Sequence, residues 1–143
     1  AAEGALFTEY VKEISEKTTE LGPFDPNEKR LQLAAIERAL GSRRLRWLYG
    51  MEKQLEVKEN VYGEKTDPEL MSEILNEAIV SEYYKAMIIE VLKDGPLSVR
   101  EMAEKTGIPV YTISLRLNEL EREGKAEFDS HEGTTAKFIS TAA

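Results

Sequence analysis

From Gly95 to Ile139 the chain reads GPLSVREMAEKTGIPVYTISLRLNELEREGKAEFDSHEGTTAKFI, and its turn formers cut that run into pieces that can assemble in few ways. Ser98 with Glu101 three residues later is a capping box. The Ser oxygen accepts an orphan backbone N–H of the first helical turn, and the Glu carboxylate accepts the N–H of the Ser. The spacing predicts a helix that begins at Val99. Thr106-Gly107 ends it, because Gly takes the left-handed conformation of a C-cap without a Cβ clash, and Pro109 cannot continue it. Pro109 instead pre-sets the first turn of a second helix. There Val110, Ile113, Leu117 and Leu120 recur at spacings of three and four as one apolar stripe, which Gly124 closes. Beyond it, residues 125–130 and 134–139 alternate partially around His131-Glu132-Gly133, a hairpin with Gly at the tight turn.

Upstream, Tyr84, Ile88, Val91 and Leu92 form a further apolar helical face, broken by Asp94-Gly95-Pro96. A domain over residues 81–143 is therefore expected, preceded by a helical segment over residues 1–80. Cap, turn, helix, Gly and hairpin in this order resemble a winged helix-turn-helix, as in MarR- and ArsR-like bacterial regulators. The resemblance implies that the helix from Pro109 to Glu123 meets the major groove of DNA. Off the apolar stripe of that helix stand Tyr111, Thr112, Ser114, Leu115, Arg116, Asn118 and Arg122 as candidate contacts to phosphates, base edges or a protein partner.

Charge pulls the other way. Phosphate affinity rests on cations that displace counterions, yet the net charge is −8. Residues 83–143 contribute −2 of this and residues 1–82 contribute −6. Leu115 stands where many DNA-reading helices carry a polar or basic side chain, and Glu119, Glu121 and Glu123 share its helix. The wing tip from Asp129 to Gly133 has two acids and no base, unlike wings that insert Arg into a minor groove.

The segment before this domain reads as helices throughout. Leu6, Tyr10, Ile14 and Leu21, widened by Phe7 and Val11, predict one helix up to Gly22-Pro23. Asp25-Pro26-Asn27-Glu28 supplies a cap and a first-turn Pro for a second, carrying Leu31, Leu33, Ala34, Ile36 and Leu40 on its apolar face. A third carries Leu45, Leu48, Met51 and Leu55. After a loop over residues 60–66, Asp67-Pro68-Glu69 starts a fourth with Leu70, Ile74, Leu75, Ala78 and Ile79, which either breaks near Ser81 or runs on through Tyr84. The fold class expected is mainly α, with N-terminal helices and a small β-hairpin wing.

Ala1-Ala2-Glu3-Gly4, followed by Phe7, Val11 and Leu21-Gly22-Pro23, resembles the end of the delta subunit of methyl-viologen-reducing hydrogenases, and the likeness spans residues 1–25. The resemblance implies a C-terminal extension of an electron-transfer subunit that works with a heterodisulfide reductase. Its iron–sulfur cluster is held by cysteines upstream of Ala1, and its partners are the subunits of a redox complex. The start without Met fits a processed protein or an excised fragment.

The sequence has no Cys, so no disulfide or thiolate-bound cluster forms within it. Its single His, His131, reads as a solvated loop residue rather than a metal ligand. No apolar run reaches the length of a membrane span, and the chain reads as cytoplasmic. No phosphate loop, zinc-protease motif or triad is present, so no catalytic residue, cofactor site or metal site is expected in this chain.

Arg43, Arg44, Arg46 and Trp47 make its densest basic cluster. It is read as a solvated helix face with Trp47 partly in the core, or as a functional cluster, able to hold phosphates or stack on a base but better suited to docking an acidic partner protein. The leading expectation is a non-catalytic docking module at the end of a redox subunit. The alternative is a DNA-binding regulator, dimeric through its upstream helices.

Overall fold

A computed structural model describes residues 2–142, which form two compact units that divide between Arg30 and Leu31. Ala1, the first residue of the Ala-Ala-Glu-Gly segment, lies outside the described residues. In the first unit α1 (Ala2–Leu21) is one helix, and Gly22 at φ 66° ends it. Its Leu6, Phe7, Tyr10, Val11, Ile14 and Leu21 are all exposed, so the apolar face expected there lies open.

Asp25 does cap, accepting from Asn27 N at 2.8 Å, but it opens a turn and not the helix itself. The i to i−3 contact from Arg30 N to Asn27 O is long, 3.4 Å, and α2 (Arg30–Leu40) starts only there.

In the second unit α2 buries Ala35 and Ala39 and partly Leu31, while Leu33, Ile36 and Leu40 face out. Of the residues expected on its apolar face, Leu31 packs against the core but Leu33, Ile36 and Leu40 do not, because two alanines allow the close approach that larger side chains prevent. Ser42 Oγ caps α3 (Arg43–Val57), accepting from Leu45 N at 3.2 Å. Trp47 is 58% exposed, so it is not in the core.

Asp67 caps α4 (Pro68–Leu92), accepting from Glu69 N at 2.9 Å with Pro68 in the first turn. α4 runs unbroken through Ser81. Its first half packs against α3 through Met71, Leu75 and Ala78, leaving Leu70 and Ile74 exposed. Its second half carries Ile88 and Leu92, two of the largest fully buried side chains.

The capping box at Ser98 is present. Ser98 N donates to Glu101 Oε2 at 2.8 Å and Glu101 N to Ser98 Oγ at 3.3 Å, so α5 (Val99–Thr106) starts where the spacing predicts. Gly107, at φ 72°, makes the turn into α6 (Val110–Arg122). There Ile113, Leu117 and Leu120 are buried as expected, but Val110 is 51% exposed, because it sits at the free N-terminal end of the helix.

β1 (Ala126–Glu132) and β2 (Thr135–Ser140) pair antiparallel around Gly133, with a register shift at Asp129, and both run slightly beyond the expected limits. Leu97 exchanges backbone hydrogen bonds with Phe138 at 3.0 and 2.9 Å, which fastens the wing to the segment before α5. Met102, Ile113 and Leu120 complete one core with Ile88 and Leu92, so α4, α5, α6 and the root of the wing hold a single geometry.

Candidate nucleic-acid interface

Residues 111 to 122 wind around α6 as three faces. At 100° per residue, Ile113, Leu117 and Leu120 point one way, into the core. Thr112, Arg116 and Glu119 fall on a second face, turned toward α4, where they line a cleft of about 640 Å³ with Ser81 and Tyr84. Tyr111, Leu115, Asn118 and Arg122 align on the third, with Ser114 beside them, and this face is open. Tyr111 is 79% and Leu115 41% exposed.

The candidates on α6 thus divide. Tyr111, Ser114, Leu115, Asn118 and Arg122 share one outward surface. Thr112 and Arg116 do not belong to it.

Arg116 is held from two sides. Its Nη1 donates to Ser81 Oγ at 2.7 Å and to both carboxylate oxygens of Glu119 at 2.7 and 2.8 Å. A second tie lies one turn further along. Lys85 Nζ, on a side chain only 9% exposed, reaches Glu123 at 2.6 Å, Glu119 at 3.2 Å and Glu82 at 3.5 Å.

Burial works against the Lys85 ammonium, but hydrogen bonds to Glu123 and Glu119 and the charge of Glu82 outweigh it and hold its pKa above the ordinary value. Glu123 shows the converse. Burial raises its carboxyl pKa, yet Lys125 and Lys85 bring it below the usual range. Glu119 and Glu123, which looked from the sequence like a charge set against DNA, are therefore occupied in fixing α6 to α4.

The cations divide in the same way. Lys137 on the wing is bound to Glu101 at 2.6 Å and Glu132 at 2.9 Å, and Lys125 to Glu123 at 2.6 Å. Arg100 and Lys105 on α5 and Arg122 on α6 are exposed, with no ion-pair partner among the described residues. Arg100 and Lys105 escaped the sequence reading. The signal available was their place on the first helix of the pair, which crosses the phosphate backbone when the second enters a groove.

His131 at the wing tip lies against the Phe128 ring, centroids 4.8 Å apart. The basic cluster of α3 stands elsewhere. Arg43 and Arg46 are exposed, Arg44 leans on Glu82 at 3.7 Å, and Trp47 opens to solvent near Glu123 and Lys125 at the C-terminal end of α6.

Two helices joined by a three-residue turn, the second presenting an open polar and aromatic face, with a hairpin pinned beside the first, define a winged helix-turn-helix. A family model described as winged helix-turn-helix DNA-binding matches residues 85–126, from the second half of α4 to the first residue of β1. No curated protein and no solved structure matches the chain. The segment from Ala1 to Asp25, on which the hydrogenase resemblance rests, lies outside the matched part, and nothing in these comparisons links the chain to that family. Among the described residues no helix is long and apolar enough to cross a membrane.

Proposed function

We propose that this chain is a DNA-binding regulator whose α6 enters the major groove with Tyr111, Ser114, Asn118 and Arg122, while Arg100 and Lys105 on α5 hold the flanking phosphates. The observation that carries the reading is the division of charge. The carboxylates Glu119 and Glu123 are neutralised by Lys85 and Arg116 on the inner side of α6, and the unpaired cations of α5 and α6 are left outside.

Asn118 offers the amide that pairs two-fold with an adenine edge. Arg122 and Ser114 reach phosphates or bases on either side of it. With few free cations the expected affinity for random duplex is low and only moderately salt-dependent, so specificity rests on base contacts.

The same face also supports protein docking, since Val110, Tyr111 and Leu115 are exposed together. A mobility-shift titration against random duplex and a pool of selected sites separates the two. Binding to the selected sites that weakens as salt is added, and that is lost in Asn118→Ala and Arg122→Ala, is the expected result. No retardation at about 50 mM salt would leave docking as the better reading.

A further inference from the structure

α3 begins in a way that is electrostatically unfavourable by itself. The N-terminus of a helix carries partial positive charge, which acids in the first turn ordinarily offset. Here the first turn has no acid and holds Arg43 and Arg44 instead. Ser42 Oγ takes the N–H of Leu45, and the Ser42 carbonyl takes that of Arg46.

This helix start opens on a depression of about 620 Å³, within the usual range for small-ligand sites. Its walls carry the four cations Arg43, Arg44, Lys85 and Lys125 against the two carboxylates Glu82 and Glu123, in a chain whose net charge is −8. Glu82 is engaged by the buried Lys85 at 3.5 Å and by Arg44 at 3.7 Å, and Glu123 by Lys85 and Lys125, each at 2.6 Å. Excess positive charge is left at the rim, where Arg43 is exposed without an ion-pair partner among the described residues.

Trp47 adds the apolar element. It follows Arg43 by four residues, so the two share one side of α3 about 6 Å apart along its axis. Its ring stands open at the mouth of the depression. Nothing in the core requires an aromatic there.

We infer that this depression is a binding site for a small aromatic oxyanion, whose charged group sits at the start of α3 against Arg43, with Lys125 offsetting Glu123 on its other side, and whose ring stacks on Trp47. A phosphate or a carboxylate satisfies the charge, and a spacer of about one helical turn matches the span from Arg43 to Trp47. Neither element alone completes the site. Its occupancy does not depend on α6 meeting DNA.

Trp47 is the one tryptophan of the sequence, so its emission reports this site directly. The full chain is titrated with adenosine monophosphate, 3-phenylpropionate, adenosine and inorganic phosphate. Saturable change with at least one of the first two, and binding about tenfold weaker or more for the last two, is expected. The phosphate and carboxylate arms tell the two oxyanion sources apart.

Arg43→Gln and Lys125→Gln, whose thermal melts check that both are folded, should each weaken binding by about fivefold or more. Absence of saturation with both ring-bearing anions overturns the inference. So does equal binding of adenosine and its monophosphate, or unchanged affinity in both variants.

Discussion

Arg116 Nη1 donates to Ser81 Oγ across 2.7 Å, and this bond joins the middle of α6 to the middle of α4. Arg116, one of the residues the sequence offers as a contact to phosphates, faces inward and is four-fifths buried. Arg116→Ala should therefore act on stability first. It removes charge-assisted bonds to Ser81 and Glu119, a loss of about 1–3 kcal/mol. Arg122→Ala on the open face should cost less than about 0.5 kcal/mol. Urea melts of the two variants decide it, and equal stability would show that Arg116 is not held as described.

Lys85 is the hub of the same joint. Lys85→Met leaves the buried Glu82 with only the half-exposed Arg44 at 3.7 Å, and Glu119 and Glu123 without a common cation. Breaking a buried pair costs about 3–5 kcal/mol, but Glu119 and Glu123 are partly solvated, so about 2 kcal/mol is the expected loss at neutral pH. Its pH dependence is the sharper check. Glu123, whose carboxyl Lys85 helps to hold below the usual range, holds its proton more tightly once that cation is gone, so acidification neutralises it and the deficit against the parent protein should narrow toward pH 4. A deficit constant from pH 7 to 4 would mean that Lys85 contributes packing alone.

What the sequence made legible was local. Ser98, Glu101, Gly107, Asp67 and Pro68 fix helix ends by bonds within three or four residues, and those ends lie where the sequence places them. Partners distant in sequence were not legible. Glu82 and Lys85 stand in α4 as two charges within an otherwise apolar run, which signals a buried pairing, but no spacing rule connects them to Glu119 and Glu123 at the far end of α6. The burial of α2 was misread for a related reason. Which side of a short helix is buried depends on how closely its neighbour approaches, and Ala35 and Ala39 permit what Leu33 and Ile36 do not. On α6 the same ignorance of neighbours placed Arg116 and Thr112 with the outward residues.

Glu101 joins three parts of the winged helix, accepting from Ser98 N, Ser98 Oγ and Lys137 Nζ. The bond from Lys137 and those from Ser98 hold its carboxyl at about 2, against 4.5 for the free group. Glu90 and Glu123 are also lowered, although burial opposes the shift in both.

A carboxyl lowered in the folded state binds fewer protons there than in the unfolded chain. Its contribution is whole above about pH 4.5 and is lost as pH falls toward 2. Lys85 and Lys137 are raised, so their contributions are whole below 10.5 and are lost above it. Stability should form a plateau between these limits. Glu101→Gln should lower the plateau and flatten its acid side, in thermal melts from pH 2 to 6. An acid side as steep as the parent's would remove Glu101 from this account.

Leu115 gives the most direct test of what α6 faces. It lies at the centre of the open face, between Tyr111 and Asn118 and well before Arg122 at the helix end, and at 41% exposure it supports little of the core. Leu115→Arg should fold as the parent does. If this face lies against DNA, the new cation meets a phosphate or a guanine edge. Affinity for duplex then rises, and the slope of log affinity against log salt steepens by about one. If the face instead docks on a protein through Val110, Tyr111 and Leu115, a charge at its centre is desolvated without a partner, and that complex weakens while duplex binding gains nothing. Salt-dependent anisotropy titrations of the variant and its parent on one duplex distinguish the two, because only contact with the phosphate backbone changes the slope.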